Sequence, residues 1–160
     1  MRNSMIVALA IAAVGASVAV ASPGGIGLGI MAGEPTGLSA KVYLGSHFAI
    51  DAAAAYSYLW HGSGAQVHAD LLFHTGSLLP KLIGFLPLYV GAGARIRLAN
   101  GVDNPMRVGV RIPVGAEYVF PIIPLGVFFE VAPILDVAPI TGFTGNSALG
   151  VRYYFGSHLI

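Results

Sequence analysis

The sequence predicts an all-β protein, an eight-stranded antiparallel up-and-down transmembrane β-barrel with short loops, preceded by a cleavable signal peptide. Three observations lead there. Of the 160 residues, 56% are hydrophobic and 9% charged, against about 25% charged in an ordinary globular domain; a water-facing surface is hard to build from so few charges. Apolar residues alternate with small or polar ones at a period of two, the pattern of strands with one apolar face. In residues 147–155, Leu149, Val151, Tyr153 and Phe155 share one face, while Ala148, Gly150, Arg152 and Tyr154 share the other. Finally, Gly, Pro or a charge interrupts every long apolar run beyond Ala21: residues 82–94 contain Pro87 and three glycines, and residues 118–129 contain Pro121 and Pro124. Only helices and closed barrels satisfy the backbone inside a bilayer, so an apolar chain without spanning helices reads as a barrel.

The length is one domain's worth. A net charge of +1 supplies no basic patch for nucleic acid. With no cysteine there is no disulfide framework, lipoprotein acylation site or thiolate metal site. Arg2, the apolar residues 5–18 and the small-residue site Ala19-Val20-Ala21 read as a signal peptide over 1–21. The barrel is then expected over 22–155, with a short tail at 156–160.

A transmembrane strand needs ~9–11 residues, and the chain beyond Ala21 divides into eight such segments. The first, 25–33, puts Ile26, Leu28 and Ile30 outward, and Glu34-Pro35-Thr36-Gly37 turns into the second. That strand, 38–44, has Leu38, Ala40, Val42 and Leu44 out and Ser39, Lys41 and Tyr43 in. Gly45-Ser46-His47 leads to the third, 48–60, with Asp51 in and Ile50, Tyr56, Tyr58 and Trp60 out. Residues 61–64 form a loop before the fourth, 65–74, with Gln66, His68, Asp70 and His74 inward. The apolar connection 75–87 reads as a short interfacial helix dipping Leu78, Leu79, Leu82, Ile83 and Phe85 into lipid. The fifth strand, 88–98, turns Tyr89, Arg95 and Arg97 inward. The sixth, 106–120, does the same with Arg107, Arg111 and Glu117, and the seventh, 127–137, with Glu130 and Asp136. A Gly/Thr loop at 138–146 precedes the eighth, which ends at Phe155.

The apolar alternation alone sets which face of each strand is which, so the charges test it. Eleven fall inside strands, namely Lys41, Asp51, Asp70, Arg95, Arg97, Arg107, Arg111, Glu117, Glu130, Asp136 and Arg152, and all land on the inward face. A lipid-facing Arg or Lys costs ~2–4 kcal/mol at the midplane, so lipid exposure would impose this segregation. Six positive and five negative groups suggest a salt-bridged plug, with Glu130 and Arg152 near the same end of adjacent strands. Inward Gly27, Gly29, Gly91, Gly93, Gly109 and Gly115 are expected to make room for arginines. Eight strands enclose a bore that side chains fill, which favours packing over an ion pathway. Phe48, Phe73, Tyr118, Phe120, Phe129, Tyr153 and Phe155 mark one rim, and Tyr58 and Trp60 the other, as interfacial girdles do.

Ending in Gly150-Val151-Arg152-Tyr153-Tyr154-Phe155, the chain resembles the small eight-stranded outer-membrane β-barrels of Gram-negative bacteria, the OmpA/OmpX-like class, over residues 22–155. The resemblance implies a location in the bacterial outer membrane. It also implies contact with outer-membrane lipid, a monomer, and an assembly signal at Gly150, Tyr153 and Phe155 read by the barrel-assembly machinery. The family's pattern usually ends at the terminal aromatic, whereas Gly156 to Ile160 follow here.

Chemical motifs are sparse. His61-Gly62-Ser63 is similar to the His-x-Ser arrangement of outer-membrane lipid A deacylases, but no acidic neighbour in sequence orients the histidine, as nucleophilic catalysis requires. His68, Asp70 and His74 share a face, yet His68 and His74 stand roughly 20 Å apart along a strand and cannot hold one metal. The glycines at 24–29 lead into no helix, so they make no phosphate cradle. The expectation is a non-enzymatic barrel in a structural or surface-interaction role, without catalytic, cofactor or metal residues and without nucleic acid. The alternatives are a narrow channel for small solutes or ions, and a rim-site lipid-modifying enzyme. A soluble lipocalin-type barrel would need more charges to cover its exterior.

Overall fold

The computed structural model describes residues 25–59, 63–80, 82–99 and 106–156. The expected signal peptide, Trp60, His61, Lys81 and the tail beyond Gly156 lie outside the described residues. The strands are β1 (Ile26–Glu34), β2 (Thr36–Tyr43), β3 (Phe48–Ser57), β4 (Gly64–His74), β5 (Leu88–Ala99), β6 (Arg107–Arg111), β7 (Val114–Val119), β8 (Leu125–Ala138) and β9 (Gly142–Phe155). Every neighbouring pair is antiparallel, and β1 pairs with both β2 and β9. The sheet therefore closes into a ring of eight strands with no free edge, which removes the exposed ladder that an open sheet would present.

The ring has eight positions because β6 and β7 share one. Gly93 pairs with Arg111 and Val90 with Val114 on one side, and Arg111 with Ile134 and Val114 with Val131 on the other. The register runs unchanged across the gap. Pro113 interrupts the ladder because it has no N–H to donate, while its carbonyl still accepts from Gly91 N at 2.8 Å. The sequence read 106–120 as one strand, and the proline divides it without displacing it.

Register also fixes the tilt. Ile26 pairs with Val42, Val42 with Ile50, Ile50 with Leu71, and Leu71 with Ala92. Carried on through Ile112, Pro133 and Gly145, the path returns to the line of β1 at Thr36, ten residues further on. Ten residues at about 3.3 Å, over eight spacings of about 4.8 Å, tilt the strands by about 40°. Such a ring leaves an interior that side chains fill.

Three connections differ from the sequence expectation. Residues 75–80 and 82–87 contain no helix; they form bends and a turn, and Phe85 exchanges backbone hydrogen bonds with Val119 at 3.0 and 2.8 Å. Pro80 and Pro87 lack the donors a helix needs there. Leu82, Ile83 and Leu78 are exposed, whereas Phe85 packs on the buried end of the barrel. The expected 138–146 loop is mostly strand, because β9 begins at Gly142; its inward residues Thr144 and Asn146 are polar, so apolar periodicity did not reveal them. The expected turn at Glu34-Pro35-Thr36-Gly37 shrinks to Pro35, which leaves Glu34 inside.

The two faces are sharply divided. Leu28, Ile30, Leu38, Val67, Leu71, Val110, Leu149 and Val151 are exposed on the outside. At the end where β1 begins and β9 stops, the terminal end, aromatic pairs ring the exterior: Phe48 with Phe73 at 5.5 Å, Tyr118 with Phe120 at 4.8 Å, and Tyr153 with Phe155 at 4.9 Å. Inside that end, Tyr43, Ala49, Leu72, Tyr89, Val119 and Tyr154 form a buried apolar cluster. Glycine makes the cluster possible. A Cβ on Gly27 would meet the Tyr154 ring at 2.5–3.0 Å, and one on Gly126 would meet its other edge at 2.9 Å. Gly27 thus makes room for an aromatic ring, not for an arginine as expected from sequence. Gly27→Ala should destabilise the refolded barrel by about 1–3 kcal/mol through overpacking, read as a lower urea midpoint; an unchanged midpoint would mean the ring is not confined.

Candidate functional site

Strand alternation sends every charged side chain among the described residues into the barrel, with Arg107 the least enclosed. Glu34 joins the eleven expected from sequence and brings the interior to six acids and six bases. The groups fall into three tiers along the axis.

Nearest the terminal end, Glu117 on β7 gathers four donors. Lys41 Nζ on β2 lies 2.5 Å from Oε2, and the Tyr43 hydroxyl donates to the same oxygen at 3.2 Å. The Tyr154 hydroxyl donates to Oε1, and Arg152 Nη1 lies 3.4 Å from it. Lys41 also stands over the rings of Tyr43 and Tyr89, at 4.8 and 4.9 Å, and the Arg152 guanidinium lies 3.7 Å from the centre of the Phe128 ring. Both contacts are cation–π in kind and gain strength away from water.

In the middle tier, β3 and β4 place Asp51 directly opposite Asp70, an arrangement of like charges that is unfavourable alone. Different arginines resolve it. Arg152 Nη2 reaches Asp51 at 2.7 Å and also bonds Ser39, while Arg111 Nε reaches Asp70 at 3.0 Å. Arg111 further donates to Glu130, whose other oxygen accepts from Tyr89 at 3.0 Å.

At the far end, Arg95 Nη2 bonds Asp136 at 2.5 Å and Thr144 at 3.3 Å, and Arg107 lies 3.8 Å from Asp136. Arg97 donates to the Leu59 carbonyl at 3.1 Å. Glu34 accepts from the Ser57 hydroxyl and from the backbone N–H groups of Tyr58 and Leu59, at 2.9 and 3.2 Å.

Charge partners follow the cross-section of the barrel as well as strand adjacency. The expected proximity of Glu130 and Arg152 is one case. Arg152 stands opposite Gly126 on β8, four residues from Glu130, about 13 Å along the strand; the two acquire separate partners. Sequence reading also missed Ser39, Tyr43, Tyr89, Thr144 and Tyr154 as partners. Their signal was inward parity shared with the charges.

Little here is arranged for bond-making chemistry. His68, Asp70 and Glu130 bring donor atoms within 4.8 Å of one another, but the Arg111 guanidinium already lies on both carboxylates and supplies the cation they need. His74 stands apart, between the rings of Tyr43 and Tyr89 at 5.2 and 5.3 Å. Ser63 precedes β4, while its sequence partner His61 is outside the described residues. Ser46 Oγ and His47 Nδ1 lie 2.8 Å apart in the exposed β2–β3 turn, and that ring stacks on Phe73. Of the expected assembly residues, Tyr153 and Phe155 are exposed outside, and Gly150 lies inside under the Phe128 ring. Comparison with protein-family models, curated proteins and solved structures finds no match.

Glu117 should be the costliest interior charge to remove. Glu117→Gln leaves Lys41 buried without its partner, a loss of about 3–5 kcal/mol, whereas Lys41→Met combined with Glu117→Leu should restore most of it. Glu130→Ala should cost less, because Asp70 still holds Arg111. Urea unfolding of the refolded variants measures the order, and a Glu130 effect larger than that of Glu117 would contradict it.

Proposed function

We propose that this chain is a non-enzymatic outer-membrane β-barrel protein of the OmpA/OmpX-like kind, inserted as a monomer and serving a structural or surface-interaction role. One observation carries the reading. Among the described residues, charged side chains are enclosed, and the outer surface is a nearly continuous coat of Leu, Ile, Val and Phe. In water such a coat favours association; against hydrocarbon it is the low-energy surface. Strands β1, β3, β4 and β5, of 9 to 12 residues and tilted by about 40°, rise about 23–30 Å, which suits an apolar band of about 25 Å. The aromatic pairs at the terminal end suit one interface.

In this reading, residues 1–21 are the export signal, outer-membrane lipid covers the wall, and the barrel-assembly machinery reads Gly150, Tyr153 and Phe155. The interior is packing. Tyr43, Leu72, His74, Tyr89 and Tyr154 close the terminal end below the ion pairs, which disfavours the narrow channel. Nothing in the described geometry favours the rim-site enzyme.

Cell fractionation should place the protein in the outer membrane, with faster gel migration of unheated than of heated samples. Refolded protein in a planar bilayer should pass no steady current. Recovery in the soluble fraction would overturn the membrane reading, and reproducible conductance from folded protein would overturn the plugged interior.

A further inference from the structure

At the terminal end, two connections leave large apolar side chains in the open. In the β4–β5 connection these are Leu78, Leu82 and Ile83, with Leu82 exposed by 94%. In the β7–β8 connection they are Ile122 and Ile123, with Ile122 exposed by 80%. Surface connections in water are built from polar residues with Gly and Pro at the turns. Among the described residues of 75–87 and 120–124 none is charged. The β2–β3 turn at the same end is different, because it exposes Ser46 and His47.

These connections are fastened to the wall. Phe85 and Val119 exchange backbone hydrogen bonds, which tie the first connection to the strand that leads into the second. Ser77 Oγ accepts from the N–H groups of Leu79 and Leu86, at 3.3 and 3.0 Å. The Tyr118 hydroxyl donates to the Ile83 carbonyl at 2.5 Å. Gly84 lies flat on the Tyr118 ring: its φ is +140°, and a Cβ there would meet ring atoms at 2.6–2.8 Å. Both facts call for glycine. The path of the chain sets which way the apolar residues face. Phe85 turns inward onto the buried aromatic cluster, whereas Ile83 and Gly84 rest on Tyr118, which pairs with Phe120 on the outer wall. The open side chains therefore stand beside the aromatic band of the terminal end.

We propose that the two connections form a non-helical interfacial anchor, in which Leu78, Leu82, Ile83 and Ile122 enter the boundary between headgroups and acyl chains of the leaflet at the terminal end. The occupant is lipid because the patch continues the aromatic band and the apolar coat of the wall, the surfaces that lipid covers in the membrane reading on which this inference rests. Apolar groups at this boundary sit about 5–10 Å deep, and their hold grows with the apolar area they bury. A fastened connection loses little freedom on entering, so most of that gain is kept. The anchor is one-sided, since it lies at β4–β5 and β7–β8 and is absent from the polar β2–β3 turn. It would set the height of the barrel in the bilayer on that side.

The test reads tryptophan fluorescence of the full chain, refolded into phosphatidylcholine vesicles brominated either near the headgroup or near the chain end. Trp60, the single tryptophan, is replaced by phenylalanine, and one tryptophan is returned as Leu82→Trp, Ile122→Trp or Leu71→Trp. Leu71 is exposed on the outer wall within β4 and serves as the control. All three positions are exposed, so each tolerates the larger ring, and faster migration of unheated samples verifies folding. Leu82→Trp and Ile122→Trp should shift their emission to the blue on insertion and lose more intensity to headgroup-side bromine than to chain-end bromine. Leu71→Trp should show the reverse order. Quenching of Leu71→Trp without quenching at 82 and 122 would overturn the anchor and leave the membrane reading standing. Absence of quenching at all three positions would overturn the membrane reading, and the anchor with it. Blue-shifted but unquenched tryptophans at 82 and 122, in a protein that cross-links at twice its mass, would give the patch to a second copy and overturn the anchor.

Discussion

Twelve charged side chains enclosed by an apolar wall have to neutralise one another, because the wall itself offers no counter-charge. That constraint organises the interior. Glu117 serves Lys41, Arg152 and two tyrosine hydroxyls; Asp51 and Asp70, opposed in register, are drawn apart to Arg152 and Arg111; Asp136 serves Arg95 and Arg107. Pairing in a low dielectric offsets desolvation only where geometry is good and the remaining donors are engaged. Ser39, Tyr89 and Thr144 provide those further bonds.

Geometry of this quality depends on closure. A ring of eight strands with a stagger of ten residues brings β2 and β7, which are not neighbours in the sheet, close enough for Lys41 to meet Glu117 across the bore. Glycines set where the large side chains lie. Gly27 and Gly126 admit the ring of Tyr154, and Gly150 admits that of Phe128, on which Arg152 then rests. Rings fill the terminal end and ion pairs the rest. Among the described residues the two ends thus differ in chemistry: aromatic rings pack one, and ion pairs such as Arg95 with Asp136 occupy the other.

Tyr43, Tyr89 and Tyr154 close the bore at the terminal end. The 75–87 connection is apolar yet not helical, and it anchors through Phe85 to Val119. It belongs to the terminal end, where Phe85 packs on the buried aromatic cluster.

Strand parity was legible in the sequence, because a period-two alternation of apolar residues leaves each charge only one face. It located the strands, the inward set from Lys41 to Arg152 and the aromatic rim. Glu34 was not legible, since a Glu-Pro pair reads as a turn until pairing with β9 shows that β1 continues through it. Nor was the start of β9, where inward Thr144 and Asn146 erase the apolar contrast. The sequence by itself determined which residues face inward, a local property of the backbone. Which of them meet was decided only by the tertiary structure: tilt and stagger set the height of each side chain in the bore, and so gave Arg152 to Asp51 and Glu117 and left Glu130 to Arg111.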